Sequence, residues 1–436
     1  MSPTFFISAG EASGEHYGAL LIDEFKRRLT AAGQTARFFG MGGERMAAAG
    51  LERVMRSEDM AVMGLTEVVR HLPRIYREFR KLKRAIRERR PDVAVLIDFP
   101  EVHFKLAKEL HRLGVPVIFF VSPQLWAWKQ KRIELVRKYV SRMLVIFPFE
   151  EPFYKERGVA AEFVGHPLAE LPLPAISRGQ FAAENRLEPA RTWIALLPGS
   201  RPKEIRDNLP EMLESAWDME ELELSGNREI GDFEYLVPLA PTLSAQQRTE
   251  VLDIVEDLGC GLDIRLVDDA RAALLHARAS VVASGTATVE AALIGNPFVV
   301  VYRVSPLTYA IAKRVVKVPH VAMVNLIAGK RVVPELIQHD FTAAKIVQQL
   351  ERLLPDGEPR QSMMHELRAI RELLNVRPAG QDLASRGPQR QVLVDGVESG
   401  GAIGRVAAIT IDQLGVQPGE LFGAGGPAPS EEAVHP

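Results

Sequence analysis

The chain has 436 residues, 47% apolar and 25% charged, with a formal net charge of −2, so it can form two domains with substantial cores and carries no general charge attraction to nucleic acid. Its single cysteine, Cys260, excludes a disulfide framework and a cysteine-rich zinc site. No apolar run is long enough to span a bilayer, and the N-terminus lacks the basic-then-apolar pattern of a signal peptide.

The first half alternates apolar runs with amphipathic stretches. Strands are expected at 4–8, 36–40, 93–97, 116–121 and 143–147, and helices over 14–32, 71–90, 101–113 and 129–139. This βαβα rhythm predicts a mostly parallel sheet. The first strand runs into Ala9-Gly10-Glu11-Ala12-Ser13-Gly14-Glu15, an acidic turn. Its carboxylates make it a poor phosphate cradle and suit it to sugar hydroxyls. Residues 70–90 are densely basic, with Leu72, Ile75, Phe79, Leu82 and Ile86 at helical spacing, and follow the apolar Met60-Ala61-Val62-Met63-Gly64-Leu65. A basic amphipathic helix beside an apolar loop fits an anionic bilayer, and fits equally a domain helix with a solvated cationic face. The run Val95-Leu96-Ile97 ends in Asp98. A carboxylate at the carboxyl end of a strand can take a proton from a sugar hydroxyl or cap the helix that follows.

Proline- and leucine-rich sequence around 167–176 reads as a linker, after which the rhythm restarts. Strands are expected near 193–197, 233–238, 263–267, 280–283 and 298–302. Leu197-Pro198-Gly199-Ser200-Arg201 follows the first of these. Glycine allows close backbone approach to an anion, a helix start presents free N–H groups, and arginine adds a fork of donors, so this turn is the leading phosphate candidate. An ordinary strand-to-helix turn with a surface arginine is the alternative. Ser284-Gly285-Thr286-Ala287-Thr288-Val289-Glu290 is a second such turn. There Glu290 either receives ribose hydroxyls or closes a capping box. From about Asn375 the pattern frays into Gly-, Pro- and Ser-containing sequence expected to be disordered, with local order expected for Val406 to Ile411. No histidine pair has metal-ligand spacing, and no Gly-x-x-x-x-Gly-Lys loop is present, which argues against ATP hydrolysis.

In order along the chain, Ser8 to Glu15, Gly40-Met41-Gly42-Gly43, Met60 to Leu65, Pro123-Gln124-Leu125-Trp126-Ala127-Trp128, Phe163-Val164-Gly165-His166-Pro167-Leu168, Leu197 to Arg201, Ser284 to Glu290 and Val324-Asn325-Leu326-Ile327 closely resemble the lipid-A-disaccharide synthase family. The likeness runs from about Phe5 to Leu374. It implies an α/β GT-B glycosyltransferase, with two Rossmann-like domains of mostly parallel sheet facing across a cleft. The expected boundaries are an acceptor domain over 1–170, a linker over 171–190, a UDP-sugar donor domain over 191–345, C-terminal helices over 346–374 and a divergent tail over 375–436.

The resemblance further implies inverting transfer from UDP-2,3-diacylglucosamine to 2,3-diacylglucosamine 1-phosphate, lipid X. The products would be the tetraacyl disaccharide 1-phosphate and UDP, formed at the cytoplasmic face of the inner membrane. By the same resemblance Asp98 is the general base and Arg201 stabilises the leaving diphosphate. Gly199, Ser200, Arg201, Ser284, Gly285, Thr286, Ala287, Thr288, Glu290 and Asn325 hold the donor, and Glu11, Ser13, Glu15 and Met63 the acceptor. No cofactor, metal or nucleic acid is implied. An anionic membrane surface is, and a homodimer is compatible. The tail from Arg377 departs from the family's Ala- and Glu-rich terminal helix. Two competing functions stay open at this point: another UDP-sugar enzyme of the same fold, such as a UDP-GlcNAc 2-epimerase, and an inactive homologue that binds UDP-sugar or membrane without turnover.

Overall fold

Strands that read as unbroken apolar runs become buried parallel strands, as coverage of both sheet faces requires. The computed structural model describes residues 2–57, 67–224, 232–305, 309, 318–375 and 400–414. The chain divides into two units, Met1–Glu170 with Val376–Pro436, and Leu171–Asn375. Met63 and the whole apolar 60–65 segment lie outside the described residues.

The first unit runs β1 (Thr4–Ala9), α1 (Ala12–Ala31), β2 (Arg37–Gly42), α2 (Glu44–Ala48), β3 (Glu52–Arg56), α3 (Glu67–Arg89), β4 (Val93–Ile97), α4 (Pro100–Arg112), β5 (Val117–Phe120), α5 (Ile133–Tyr139), β6 (Arg142–Val145), α6 (Glu150–Lys155) and β7 (Ala161–Phe163). Its strands form one parallel sheet in the order β3-β2-β1-β4-β5-β6-β7. Side chains alternate across it: Phe5 and Ile7 enter the core beneath α1, while Phe6 enters the core that holds Leu106 and Leu110 of α4. β3 and β7 were not expected from the sequence. They are short edge strands whose partly exposed polar residues give no apolar run to detect.

The second unit runs α7 (Arg178–Asn185), β8 (Thr192–Leu197), α8 (Pro202–Leu224), β9 (Phe233–Pro238), α9 (Ala245–Leu258), β10 (Ile264–Val267), α10 (Ala270–His276), β11 (Ala279–Ala283), α11 (Thr286–Ile294), β12 (Phe298–Tyr302), α12 (Met323–Ala328), β13 (Glu335–Ile337), α13 (Ala343–Leu353) and α14 (Glu358–Leu374). Its parallel sheet has the order β10-β9-β8-β11-β12-β13. The expected linker over 171–190 is not simply a connection. Ser177 and Gln180 close a capping box at the start of α7. Phe181 is buried against Trp193, and the Arg178 guanidinium stacks 3.5 Å from the centre of that indole.

Within the tail, the local order expected at Val406 to Ile411 is a helix of wider extent. Residues 402–412 form α15 (Ala402–Asp412), which packs on α1 and buries Ile403, Val406 and Ala407 with Leu21, Ile22 and Phe25. Apolar burial outweighs the Gly-rich flanks, and Glu170 accepts the Ala402 N–H at the helix start.

Candidate active site

Strand order reverses direction between β1 and β4 in the first unit and between β8 and β11 in the second. In open α/β sheets the crevice beyond the carboxyl ends of such strands is where ligands bind. The acidic turn after β1 and Asp98 after β4 flank the first switch, and the two glycine turns flank the second.

At the first switch, Asp98 and Phe99 both take left-handed backbone conformations, φ 53° and 51°. Such conformations cost non-glycine residues about 1–3 kcal/mol each, so the surroundings must hold them. Phe99 lies over Gly10, where an added Cβ would come 2.3 Å from the ring, so glycine is required there. Burial, and then the negative charge of Glu11, push the Asp98 carboxyl up to about 6, against a hydrogen bond from the Phe99 backbone. A carboxyl with that affinity is ionised at neutral pH and still a useful proton acceptor.

The remaining acceptor candidates are used differently. Ser13 sits half-buried in the first turn of α1. Glu15 accepts the Arg45 N–H at 2.9 Å and lies where a side chain at Gly43 would go, so it caps α2. That contact accounts for one of its oxygens. Sequence reasoning missed His103, which is fully buried and bonds Ser8 Oγ at 2.9 Å and the Asp98 carbonyl at 2.5 Å. Ser8 lies 95 positions earlier, so no local pattern could reveal the pair. Glu101, on the first turn of α4, holds Lys129 and Arg132 at 3.0 and 2.8 Å, and its carboxyl is lowered to about 2, chiefly by the Arg132 hydrogen bond.

At the second switch, Gly199 has φ 126°, and a Cβ there would meet Glu204 at 2.6 Å. The Glu204 carboxylate accepts the N–H groups of Ser200 and Arg201 at 3.2 and 3.3 Å and the Arg201 guanidinium at 3.0 Å. The cradle therefore already has the geometry to hold an anionic oxygen. Glu204 was missed from the sequence, although Pro202 at the first helical position with an acid two residues on marks such a cap. Asn208 fixes the loop from below by donating to the Pro198 carbonyl at 2.8 Å.

Across the switch, Gly285 is the N-cap of α11 and supplies no side-chain cap. The N–H groups of Thr286 and Ala287 make no hydrogen bond among the described residues and stand at the positive end of the helix dipole. Ser284 donates its backbone N–H to Val301. The capping-box alternative for Glu290 does not occur. Its carboxylate makes no hydrogen bond among the described residues, and burial raises its proton affinity against the pull of Arg271.

Two donor candidates are buried and hydrogen-bonded within the fold. Thr288 is fully buried, with its hydroxyl bonded to the Gly285 carbonyl at 2.7 Å, so it shapes the turn. Asn325 is fully buried as well. Its amide donates to Val333 and Glu335, and its oxygen accepts from the N–H groups of Val332 and Val333. Those bonds lock the segment between α12 and β13.

With this geometry in place, comparison with known proteins is informative. A family model described as lipid-A-disaccharide synthetase matches residues 5–382. The lipid-A-disaccharide synthase of Acidobacterium capsulatum is 59% identical over 385 residues, covering 86% of this chain and 92% of that protein. That of Koribacter versatilis is 48% identical over 382 residues, covering 87% and 95%. Among solved structures, the glycotransferase of kitacinnamycin superposes with a TM-score of 0.56 at 15% identity, covering 95% of this chain and all of that one (100%). At that identity the likeness speaks for the fold alone, a GT-B arrangement of two parallel-sheet units.

Proposed function

Since the chain belongs to the lipid-A-disaccharide synthase family, and is therefore a hexosyltransferase of lipid A biosynthesis with the GT-B fold, we propose which of its residues carry the reaction. The donor is UDP-2,3-diacylglucosamine and the acceptor 2,3-diacylglucosamine 1-phosphate.

The Asp98 carboxylate takes the proton of the acceptor 6-hydroxyl. That oxygen attacks the donor anomeric carbon from the face opposite the diphosphate. The bond from the anomeric carbon to the diphosphate oxygen breaks, its electron pair leaves with UDP, and α becomes β. Charge gathers on the departing diphosphate, where donors aimed in advance act most strongly. Arg201, the N–H groups of Ser200 and Arg201, and those of Thr286 and Ala287 supply them, and Glu204 yields its place to the phosphate oxygens. Glu290 receives the ribose hydroxyls. The observation that carries this reading is the segregation of charge. The turns at the second switch offer anion donors, while the first switch offers carboxylates, one of them with raised proton affinity.

The test is direct. Purified protein given the diacylated donor and lipid X should release UDP and the disaccharide phosphate. Asp98→Asn should lower turnover by roughly 10²- to 10⁴-fold, the usual scale for a general base, and leave UDP binding intact. Wild-type rates in that variant would remove Asp98 as the base. Free UDP with an epimerised sugar and no disaccharide would favour an epimerase.

Both substrates are amphiphiles, and among the described residues no helix is long and apolar enough to cross a membrane. We therefore propose peripheral binding at the cytoplasmic face of the inner membrane through α3, where Arg77, Arg80, Lys81 and Arg84 are exposed. Glu78 and Glu88 neutralise part of that charge. Charge reversal at the four cations should abolish flotation with anionic vesicles, and retained flotation would exclude this face.

A further inference from the structure

His103 stands at the fourth position of α4, out of water, between two backbone segments that both end at the first switch point. Its Nδ1 faces the main-chain carbonyl of Asp98, and its Nε2 faces the hydroxyl of Ser8, itself fully buried near the end of β1. Phe99 and Phe119 meet the imidazole edge to face at 5.8 and 6.0 Å and fix its plane.

The partners dictate the proton positions. A carbonyl oxygen only accepts, so Nδ1 carries the hydrogen and donates it to Asp98. Burial holds the ring's proton affinity down to about 4, so at neutral pH the ring is uncharged and Nε2 is a bare acceptor. The Ser8 hydroxyl then donates to Nε2. The result is a directed chain from Ser8 to His103 to the Asp98 carbonyl, with one tautomer.

That chain grips the carbonyl side of Asp98, while its N–H is tied to the Phe120 carbonyl of β5. The Asp98 carbonyl belongs to the peptide joining two consecutive left-handed residues, and its rotation would swing the carboxylate away from the crevice. The backbone holds this turn as well: the Asp98 N–H bonds the Phe120 carbonyl at 2.9 Å, and the N–H groups of Val102 and His103 bond the Phe99 carbonyl at 3.4 and 3.1 Å.

We propose that His103 is the positioning residue for the general base: through its two hydrogen bonds it locks the left-handed turn at Asp98 to the end of β1, and so holds the Asp98 carboxylate beside the acidic turn at Glu11. This rests on Asp98 being the base. His103 touches no substrate and transfers no proton.

Each amide-bearing variant keeps one of the two bonds. In His103→Asn the amide nitrogen falls near the place of Nδ1 and can still donate to Asp98. In His103→Gln the amide lies near the place of Nε2 and keeps only the link to Ser8. His103→Phe keeps the ring's bulk and neither bond. In the full-length protein, turnover should fall about 100-fold in His103→Phe, the scale of a displaced reacting group, with His103→Asn less affected than His103→Gln. The KM for the UDP-sugar and UDP binding by calorimetry should not change.

The acid limb of kcat/KM, set near pH 6 by burial of Asp98 and by Glu11, should move in His103→Phe. The carboxylates of α4 are already paired, Glu101 with Lys129 and Arg132 and Glu109 with Lys83 and Arg87, and its cations Lys105, Lys108 and Arg112 are common to the wild type and the variant. A folded His103→Phe protein with wild-type turnover and an unmoved acid limb would overturn the proposal. So would a loss of activity no larger than its unfolded fraction, read from thermal melts. Adding His103→Phe to Asp98→Asn should cost nothing further, and an additional loss would show that His103 acts elsewhere. If Asp98→Asn alone is harmless, the base assignment fails; if it is harmful while His103→Phe is not, only this inference does.

Discussion

Glu150 shows what a single sealed carboxyl does to the molecule. It opens α6, is almost wholly buried, and accepts from Trp126 Nε1 at 3.0 Å and the Phe147 N–H at 3.2 Å. Burial outweighs those bonds and pushes its proton affinity up to about 8. From about pH 4.5 to 8 the folded chain keeps a proton that the unfolded chain releases, so stability falls as pH rises through that window and levels off above it. Glu150→Gln should flatten that slope in urea midpoints measured from pH 5 to 9, and an unchanged slope would mean the group is ionised in the fold. Asp98 adds a smaller term of the same sign between its ordinary value of 3.8 and about 6. The activity of the free enzyme should instead rise with pH through about 6, as the base loses its proton. Glu204 permits a sign test at the donor cradle. Glu204→Gln removes the negative charge that competes with phosphate and should tighten UDP binding several-fold, whereas Arg201→Ala should weaken it by about 10-fold or more, as loss of a charge-assisted hydrogen bond implies. Asp98 and Arg201 could be picked out as candidates because Asp98 directly follows an apolar strand and Arg201 closes the glycine turn after another. The burial of Asn325 and Thr288 was not legible, because a motif names polar residues without saying which are buried, and burial here comes from segments distant in sequence.

Elements defined by period and length were legible; elements held by tertiary contact were not. The strands that became β1, β4, β8 and β11 are predominantly apolar runs, and the turns after β1, β8 and β11 carry glycine. The helix α15 lies in a tail whose composition favours disorder, and only its apolar stretch Val406 to Ile411 signalled local order. What orders it is the apolar face of α1, with Val406 and Ala407 fully buried and Ile403 nearly so. Burying residues of that size contributes about 1.5–3 kcal/mol each. Val406→Asp should therefore destabilise the first unit by about 3 kcal/mol or more and expose α1 to proteolysis. A melting curve unchanged by that substitution would show that α15 does not hold α1. Edge strands β3 and β7 escaped notice because a half-exposed strand of three to five residues has too few positions to establish alternation.

At the scale of the whole molecule, repeated architecture without repeated sequence still announced two parallel sheets, because each βαβ crossover requires the next strand to lie parallel. Position relative to the switch points could not be read from the sequence, since strand order comes from pairing and not from periodicity. UDP should slow amide exchange in the β8–α8 and β11–α11 turns while leaving the β4–α4 turn unchanged, as binding confined to the second unit requires. Protection at the β4–α4 turn by UDP alone would contradict the division of roles. The membership of α15 in the first unit has a consequence in time. A ribosome delivers residues 171–375 as one uninterrupted stretch, so the second unit can close as soon as it emerges. The first unit is begun earlier and completed later, with the apolar flank of α1 uncovered until residues 402–412 arrive. A nascent chain of this enzyme is thus most exposed to chaperones and proteases at the end that was made first.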